Sequence, residues 1–220
     1  MNRLLRGGAI AGPVLFTLAW IVLGFISPGY TMWDIVVPSY SPIAQPISGL
    51  GLGVTGPYMN AAFIVSGILL LAGVIGIVSS IPELSRRERW LYASLFALAP
   101  IGMVMDGIFT LESFFLHFLG YLVAIGSTVI SFFVVGSVVR RVAGWRRVGS
   151  ALRVGSAVTL VLLVIAQFTF DPIAAGANVG IAGLTERILI VEVLAWFATM
   201  GWFALRSPRA ASDIALKSAA

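Results

Sequence analysis

The chain has 220 residues, of which 59% are hydrophobic and only 10% charged, and it contains no cysteine. A soluble domain carries about 25% charged residues, so a soluble globular class is excluded. Without cysteine, so are disulfide scaffolds, thiolate metal sites and cysteine nucleophiles. An isoelectric point near 10.2 would suggest nucleic acid as the partner of a soluble protein. Here the basic residues flank apolar runs, which points to anionic lipid headgroups instead.

The first apolar run, residues 9–26, follows Arg3 and Arg6. It runs about 18 residues and lacks a convincing small-x-small cleavage site, so it reads as a retained helix rather than a signal peptide. Five further runs approach the ~20 apolar residues of a spanning helix, at 58–80, 90–108, 113–139, 154–170 and 184–205. Pro13 and Pro100 fall inside spans, where a membrane bundle tolerates them. Ser66, Gly67, Gly73 and Gly76 in the second span, and Gly120, Gly126 and Gly136 in the fourth, read as close helix contacts.

All but one of the 14 Lys and Arg fall in four clusters: Arg3/Arg6, Arg86/Arg87/Arg89, Arg140/Arg141/Arg146/Arg147/Arg153 and Arg206/Arg209/Lys217. Every second boundary is therefore basic, the positive-inside pattern of a helical membrane protein. The expected architecture is all-α: a single domain of six transmembrane helices over residues 1–205, with both termini cytoplasmic and a cytoplasmic tail over 206–220. Loops 81–89 and 140–153 are then cytoplasmic, and 27–57, 109–112 and 171–183 are outside.

The acids follow a different rule. Asp34, Asp106, Glu112, Asp171 and Glu186 gather at the outer boundary, with His117 and the one remaining cation, Arg187; Glu192 lies deeper. Ionisable groups at membrane depth are costly and face the bundle interior or a wet cavity. This layer is either a polar pocket or a set of solvated helix ends. The turn 109–112 is short, so the third and fourth helices are antiparallel neighbours. His117 shares a face with Ser113 and Tyr121, and Asp106 and His117 are expected to meet across the hairpin. Such a pair serves as an acid–base site or as a plain interhelical clamp.

Glu186 either serves the helix N-terminus or joins the acid–base group. Arg187 is expected to be buried against a carboxylate, Asp171 or Asp106, or to hold a phosphate or carboxylate headgroup. Glu112 suits a helix N-terminus. Glu192 shares a face with Trp196 at i+4 and is expected to be either protonated or paired, with Gln167 as the candidate partner. A cage of Asp106, Glu112, Asp171 and Glu186 around a divalent cation is conceivable, but no metal or cofactor is assigned.

The outer segment 27–57 carries one charge, Asp34, and many Pro, Gly and aromatic residues. It is too apolar for disorder and reads as a lid on the outer mouth of the bundle. Ser41-Pro42 is a helix start, cut short by Pro46 and Gly49. Ser41, Gln45 and Ser48 are expected to point down toward Asp106 and His117, with Asn60 beside them.

The runs Ser41-Pro-Ile-Ala-Gln-Pro-Ile-Ser48-Gly-Leu-Gly51 and Pro57-Tyr-Met-Asn60-Ala-Ala-Phe63 resemble an uncharacterised family of prokaryotic six-helix membrane proteins, catalogued as a domain of unknown function. Gly102 with Asp106-Gly-Ile-Phe109, His117 with Gly120, and Gly183-Leu-Thr-Glu186-Arg187 extend the resemblance over about residues 9–205. More distantly the chain is similar to the DRAM/FRAG-type six-helix family of eukaryotes, linked to membrane-lipid remodelling and stress. The resemblance implies a fold and a site position, not a substrate. Phe109 lacks the Cys and Pro that follow it in many relatives, which argues against a metal or disulfide at the hairpin.

The leading functional expectation is an outer-leaflet pocket for a lipid or isoprenoid-like amphiphile. Asp106, His117, Arg187 and Asn60 would meet its head, and Ser41, Gln45, Ser48, Glu112, Tyr121 and Asp171 complete the polar set. The alternatives are an acid–base enzyme on such a lipid through Asp106, His117 and Glu186, a proton-coupled small-solute transporter through Glu192 and Asp106, and a structural or assembly protein.

Overall fold

A computed structural model describes residues 2–37, 39–81 and 83–206. Six helical spans are long and apolar enough to cross a membrane: Arg3–Ile26, Gly53–Ser80, Arg86–Ile108, Leu111–Val139, Arg146–Thr169 and Ala182–Arg206. The helices are α1 (Asn2–Ile26), α2 (Gly56–Ser80), α3 (Arg86–Ile108), α4 (Phe114–Tyr121), α5 (Ser127–Val139), α6 (Arg146–Thr169), the short α7 (Pro172–Gly176) and α8 (Ala182–Arg206). Arg209, Asp213 and Lys217, and the expected tail apart from Arg206, lie outside the described residues.

Three helices begin earlier than hydropathy suggests, because their charged first turns are helical too. At α3 the reason is a capping box: the Glu88 N–H donates to Ser85 Oγ (3.3 Å), and the Ser85 N–H donates to Glu88 Oε2 (2.8 Å). The basic run 146–153 forms the first turns of α6. Arg3 and Arg6 lie on α1. Arg6 is no headgroup anchor: it is buried and donates through Nη1 to the Ala204 carbonyl (3.1 Å). That bond joins the first turns of α1 to the last turn of α8, so both lie on one face of the bundle.

Small residues set the helix spacing. A Cβ at Gly73 would stand 2.1 Å from the Ala9 nitrogen, and one at Gly8 would stand 2.2 Å from the Leu69 carbonyl oxygen. Backbones that close allow no larger side chain. Gly136 and Gly149 do the same between α5 and α6, whereas Gly126 has open space around it. Phe96, Phe132 and Phe197 lock α3, α5 and α8 together, with ring centroids 5.6–6.2 Å apart. Large apolar side chains such as Leu18, Ile130, Phe133 and Val161 cover the outward surface, as lipid-facing helices require.

The fourth span is not one continuous α-helix. Leu122–Gly126 is a π turn between α4 and α5, a feature often found beside functional sites. Gly102 of α3 packs against it, where a Cβ would stand 2.3 Å from the Ala124 nitrogen.

The segment joining α1 to α2 differs from expectation. It contains a two-stranded hairpin, β1 (Tyr30–Met32) and β2 (Ile35–Val37), pairing Tyr30 with Val37. Ser41 caps a single turn, accepting at Oγ from the Ala44 N–H (3.3 Å). Short 3-10 turns follow at Ile47–Gly51 and Gly53–Thr55. Ala44, Gln45, Ile47 and Leu50 are buried, so the segment lies against the bundle.

Candidate functional site

The lid is held by α8. The Leu184 N–H donates to the Ile43 carbonyl (2.9 Å), and the Ile47 N–H donates to Glu186 Oε2 (2.8 Å). Gly183 makes the approach possible, since a Cβ there would stand 2.1 Å from the Gln45 carbonyl oxygen.

Arg187 is buried, but not against a carboxylate as expected. Its Nη1 donates to the carbonyls of Gln45 (2.9 Å) and Gly183 (2.8 Å), and its Nη2 donates to the Tyr40 hydroxyl. The guanidinium lies over the rings of Trp20 (5.3 Å) and Tyr40 (5.7 Å). Among the described residues no carboxylate comes within 4.0 Å of it. These bonds tie the lid to α8.

Burial pushes the Tyr40 hydroxyl well above its usual pKa, although Arg187 pulls the other way. Burial, helped by the charge of Glu186, pushes Tyr30 up to about 12.

Gln45 does not point at Asp106. Its Nε2 donates to Asn178 Oδ1 (2.6 Å), and also reaches the carbonyls of Ser39 and Ala175. Asn178 Nδ2 donates back to the Ser39 carbonyl (2.8 Å). Gln45 therefore clasps the lid to the connection between α6 and α8, and Ser41 caps its own turn. Asn60 donates to the Gly51 carbonyl (3.1 Å) and is a tether as well. Asp171 accepts from the Ile173 and Ala174 N–H groups as the N-cap of α7. Glu112 is exposed. Among the described residues no three acidic or histidine side chains converge on one point, so the four-carboxylate cage is not formed.

Beneath the lid is a cavity of about 280 Å³. Its polar wall is Ser48, Asp106, His117, Tyr121, Gln167 and Glu186. The rest is apolar, including Phe63 and Leu70 of α2, Ala99 and Met103 of α3, Ile125 of the π turn, and Ile190, Val193 and Phe197 of α8. From Glu186 to Phe197 along α8 is about 16 Å at 1.5 Å per residue. The cavity is thus polar at the lid end and apolar further down. Phe114, Phe118 and Phe170 line it and are also exposed on the outside, so the wall at α4 and just beyond α6 is one side chain thick.

Asp106 and His117 do meet across the hairpin, though not through a hydrogen bond. Nδ1 of His117 is 3.7 Å from Asp106 Oδ1 and 2.7 Å from the Phe109 carbonyl. A carbonyl can only accept, so Nδ1 carries the proton and Nε2 is left as the acceptor. The Phe109 carbonyl, freed at the end of α3, outcompetes the carboxylate. Asp106 is only 6% exposed. Its carboxyl accepts no hydrogen bond among the described residues, and Oδ1 is fully enclosed. Gly120 provides its space, since a Cβ there would stand 2.2 Å from Asp106 Oδ1.

A family model described as "Protein of unknown function (DUF998)" matches residues 10–203. The chain belongs to that family. No curated protein and no solved structure matches it. Every residue of the cavity and its lid lies inside the stretch matched to the DUF998 family, and that match lends no support to the distant DRAM/FRAG link.

Several cavity residues were not singled out from the sequence: Phe16, Met103, Phe118, Ile190, Val193 and Phe197. A signal for part of this set exists, since Glu186, Ile190, Val193 and Phe197 repeat at helical spacing on one face. Glu192 is paired, with Trp196 of its own face and with Thr159 rather than Gln167. It accepts from Thr159 Oγ1 (2.8 Å) and from Trp196 Nε1 (2.6 Å), clipping α8 to α6, and Gln167 faces the cavity instead.

Proposed function

We propose that the cavity binds a single-chain amphiphile, a lipid or isoprenoid-like molecule taken from the outer leaflet of the prokaryotic plasma membrane. The observation that carries this reading is the segregation of the cavity: all its charged groups are at the lid end, above a long apolar shaft. At about 280 Å³ the cavity is at the small end of ligand pockets, which suits one chain rather than two. The thin wall at Phe114, Phe118 and Phe170 suits entry from the bilayer. The basic clusters of the sequence support an orientation with both termini in the cytoplasm and the lid outside.

The head meets Asp106, His117, Glu186 and Ser48. Arg187 and Asn60, expected among the head contacts, are occupied in holding the lid. The transporter reading loses its second carboxylate, because Glu192 is tied by Thr159 and Trp196. A purely structural role leaves the unpartnered Asp106 without explanation. Acid–base chemistry on the bound head is the second reading. It is favoured by the Phe109 carbonyl, which fixes one imidazole tautomer and leaves Nε2 as a base.

The test is native mass spectrometry of the purified protein with extraction of co-purifying lipid. Val193→Phe, which fills the shaft, is expected to lose an amphiphile that the wild type retains. If neither protein carries one, or both carry it equally, the reading fails.

A further inference from the structure

Resting on the amphiphile reading above, we propose that the head accepted by this cavity is cationic, an ammonium, rather than a phosphate or carboxylate. The cavity wall contains two carboxyl groups, Asp106 and Glu186, and no Lys or Arg. Glu186 already accepts from the Ile47 N–H. Asp106 accepts from nothing among the described residues; its Oδ1 is enclosed against Gly120, which leaves Oδ2 as the acceptor on the cavity side.

Among the described residues, the one cation at this end cannot supply a donor. Arg187 is committed to two carbonyls and the Tyr40 hydroxyl, with both ring faces of its cage occupied. Its Nε is buried without a partner, so the group is enclosed rather than turned toward the ligand. Two carboxyl groups against one guanidinium leave room for a second positive charge.

The rest of the wall agrees. With its Nδ1 proton committed to Phe109, His117 offers Nε2 as an acceptor. Phe114, Phe118 and Tyr121 form a stacked aromatic run, with centroids 6.2 and 6.5 Å apart, and aromatic faces attract ammonium groups. An ammonium brings donors and positive charge to this set. An alcohol brings a single donor. A carboxylate or phosphate brings no donor and meets repulsion.

The experiment measures the rise in melting temperature of the full chain in maltoside micelles with dodecylamine, dodecanol or dodecanoate at matched mole fractions. Dodecylamine is expected to bind about tenfold or more tighter than dodecanol, with dodecanoate weakest. Asp106→Asn should remove most of that preference, so that dodecylamine and dodecanol bind it within about threefold of each other. If Asp106→Asn melts early without ligand, Glu186→Gln and the wild-type head series decide the matter. Dodecanol or dodecanoate binding as well as the amine would overturn the ammonium assignment and leave amphiphile binding standing. No shift with any of the three would overturn amphiphile binding itself.

Discussion

Replacing Arg187 with Met keeps much of the side-chain volume and deletes the charge. The Gly183 carbonyl is one turn back on the same helix and keeps its helical partner, so its loss is small. The Gln45 carbonyl and the Tyr40 hydroxyl lose a charged donor each, at about 1.5–3 kcal/mol per bond. The contacts with the Trp20 and Tyr40 rings add about 0.5–1 kcal/mol or more. Against this, the variant no longer keeps a guanidinium out of water, which returns several kcal/mol. The balance is a net loss of about 3 kcal/mol. For a chain of this size that lowers the melting temperature by about 6–12 °C. Because the bonds run from α8 to the lid, hydrogen exchange should accelerate in residues 39–52 before it does in α2 or α5. Arg187→Lys, which retains the charge but not the planar fork, should fall in between. An unchanged melting temperature together with unchanged exchange over residues 39–52 would refute this role of Arg187.

Four further outcomes are expected. Gly183→Ala places a methyl against the Gln45 and Pro42 carbonyls and should lift the lid, seen as protease cleavage within 27–57 while the spans stay intact. Gly120→Ala should displace the Asp106 carboxyl and weaken dodecylamine binding with little change in unfolding in its absence; unaltered binding would count against the site. Tyr30 has a folded pKa raised above its ordinary value, so the stability it contributes is complete below pH 10. That stability is lost as pH climbs toward about 12, and Tyr30→Phe should flatten the decline in an alkaline unfolding series. Gln45→Leu breaks the clasp to Asn178 and Ala175 and should loosen the lid, not only ligand retention, in the same exchange measurement.

Much of the architecture was legible because a bilayer imposes simple rules. Backbone groups in hydrocarbon must be satisfied within a helix, so six apolar runs of the right length meant six helices, and Gly73 and Gly76 marked where two of them touch. Hydropathy failed at the helix ends, since Arg146 and Arg86 continue a helix that a count of apolar residues stops short of. The gathering of Asp106, His117 and Glu186 followed from their common depth and from one short turn. Partner choice was not legible. Whether Arg187 meets an acid or a carbonyl depends on where the lid backbone passes, and Gly183 admits that backbone closely enough for carbonyls to fill the fork. Likewise, no spacing rule says that the Phe109 carbonyl will take the His117 proton ahead of Asp106.

The sequence by itself therefore determined the class, the number of spans and the end of the bundle at which charge collects, because these depend on local composition and length. Tertiary structure alone decided which polar groups are spent on holding the lid and which remain for a ligand. Hydrogen-bond satisfaction is a competition among groups distant in the chain. Its outcome rests on angstrom-scale approaches such as Gly120 to Asp106 and Gly183 to Gln45.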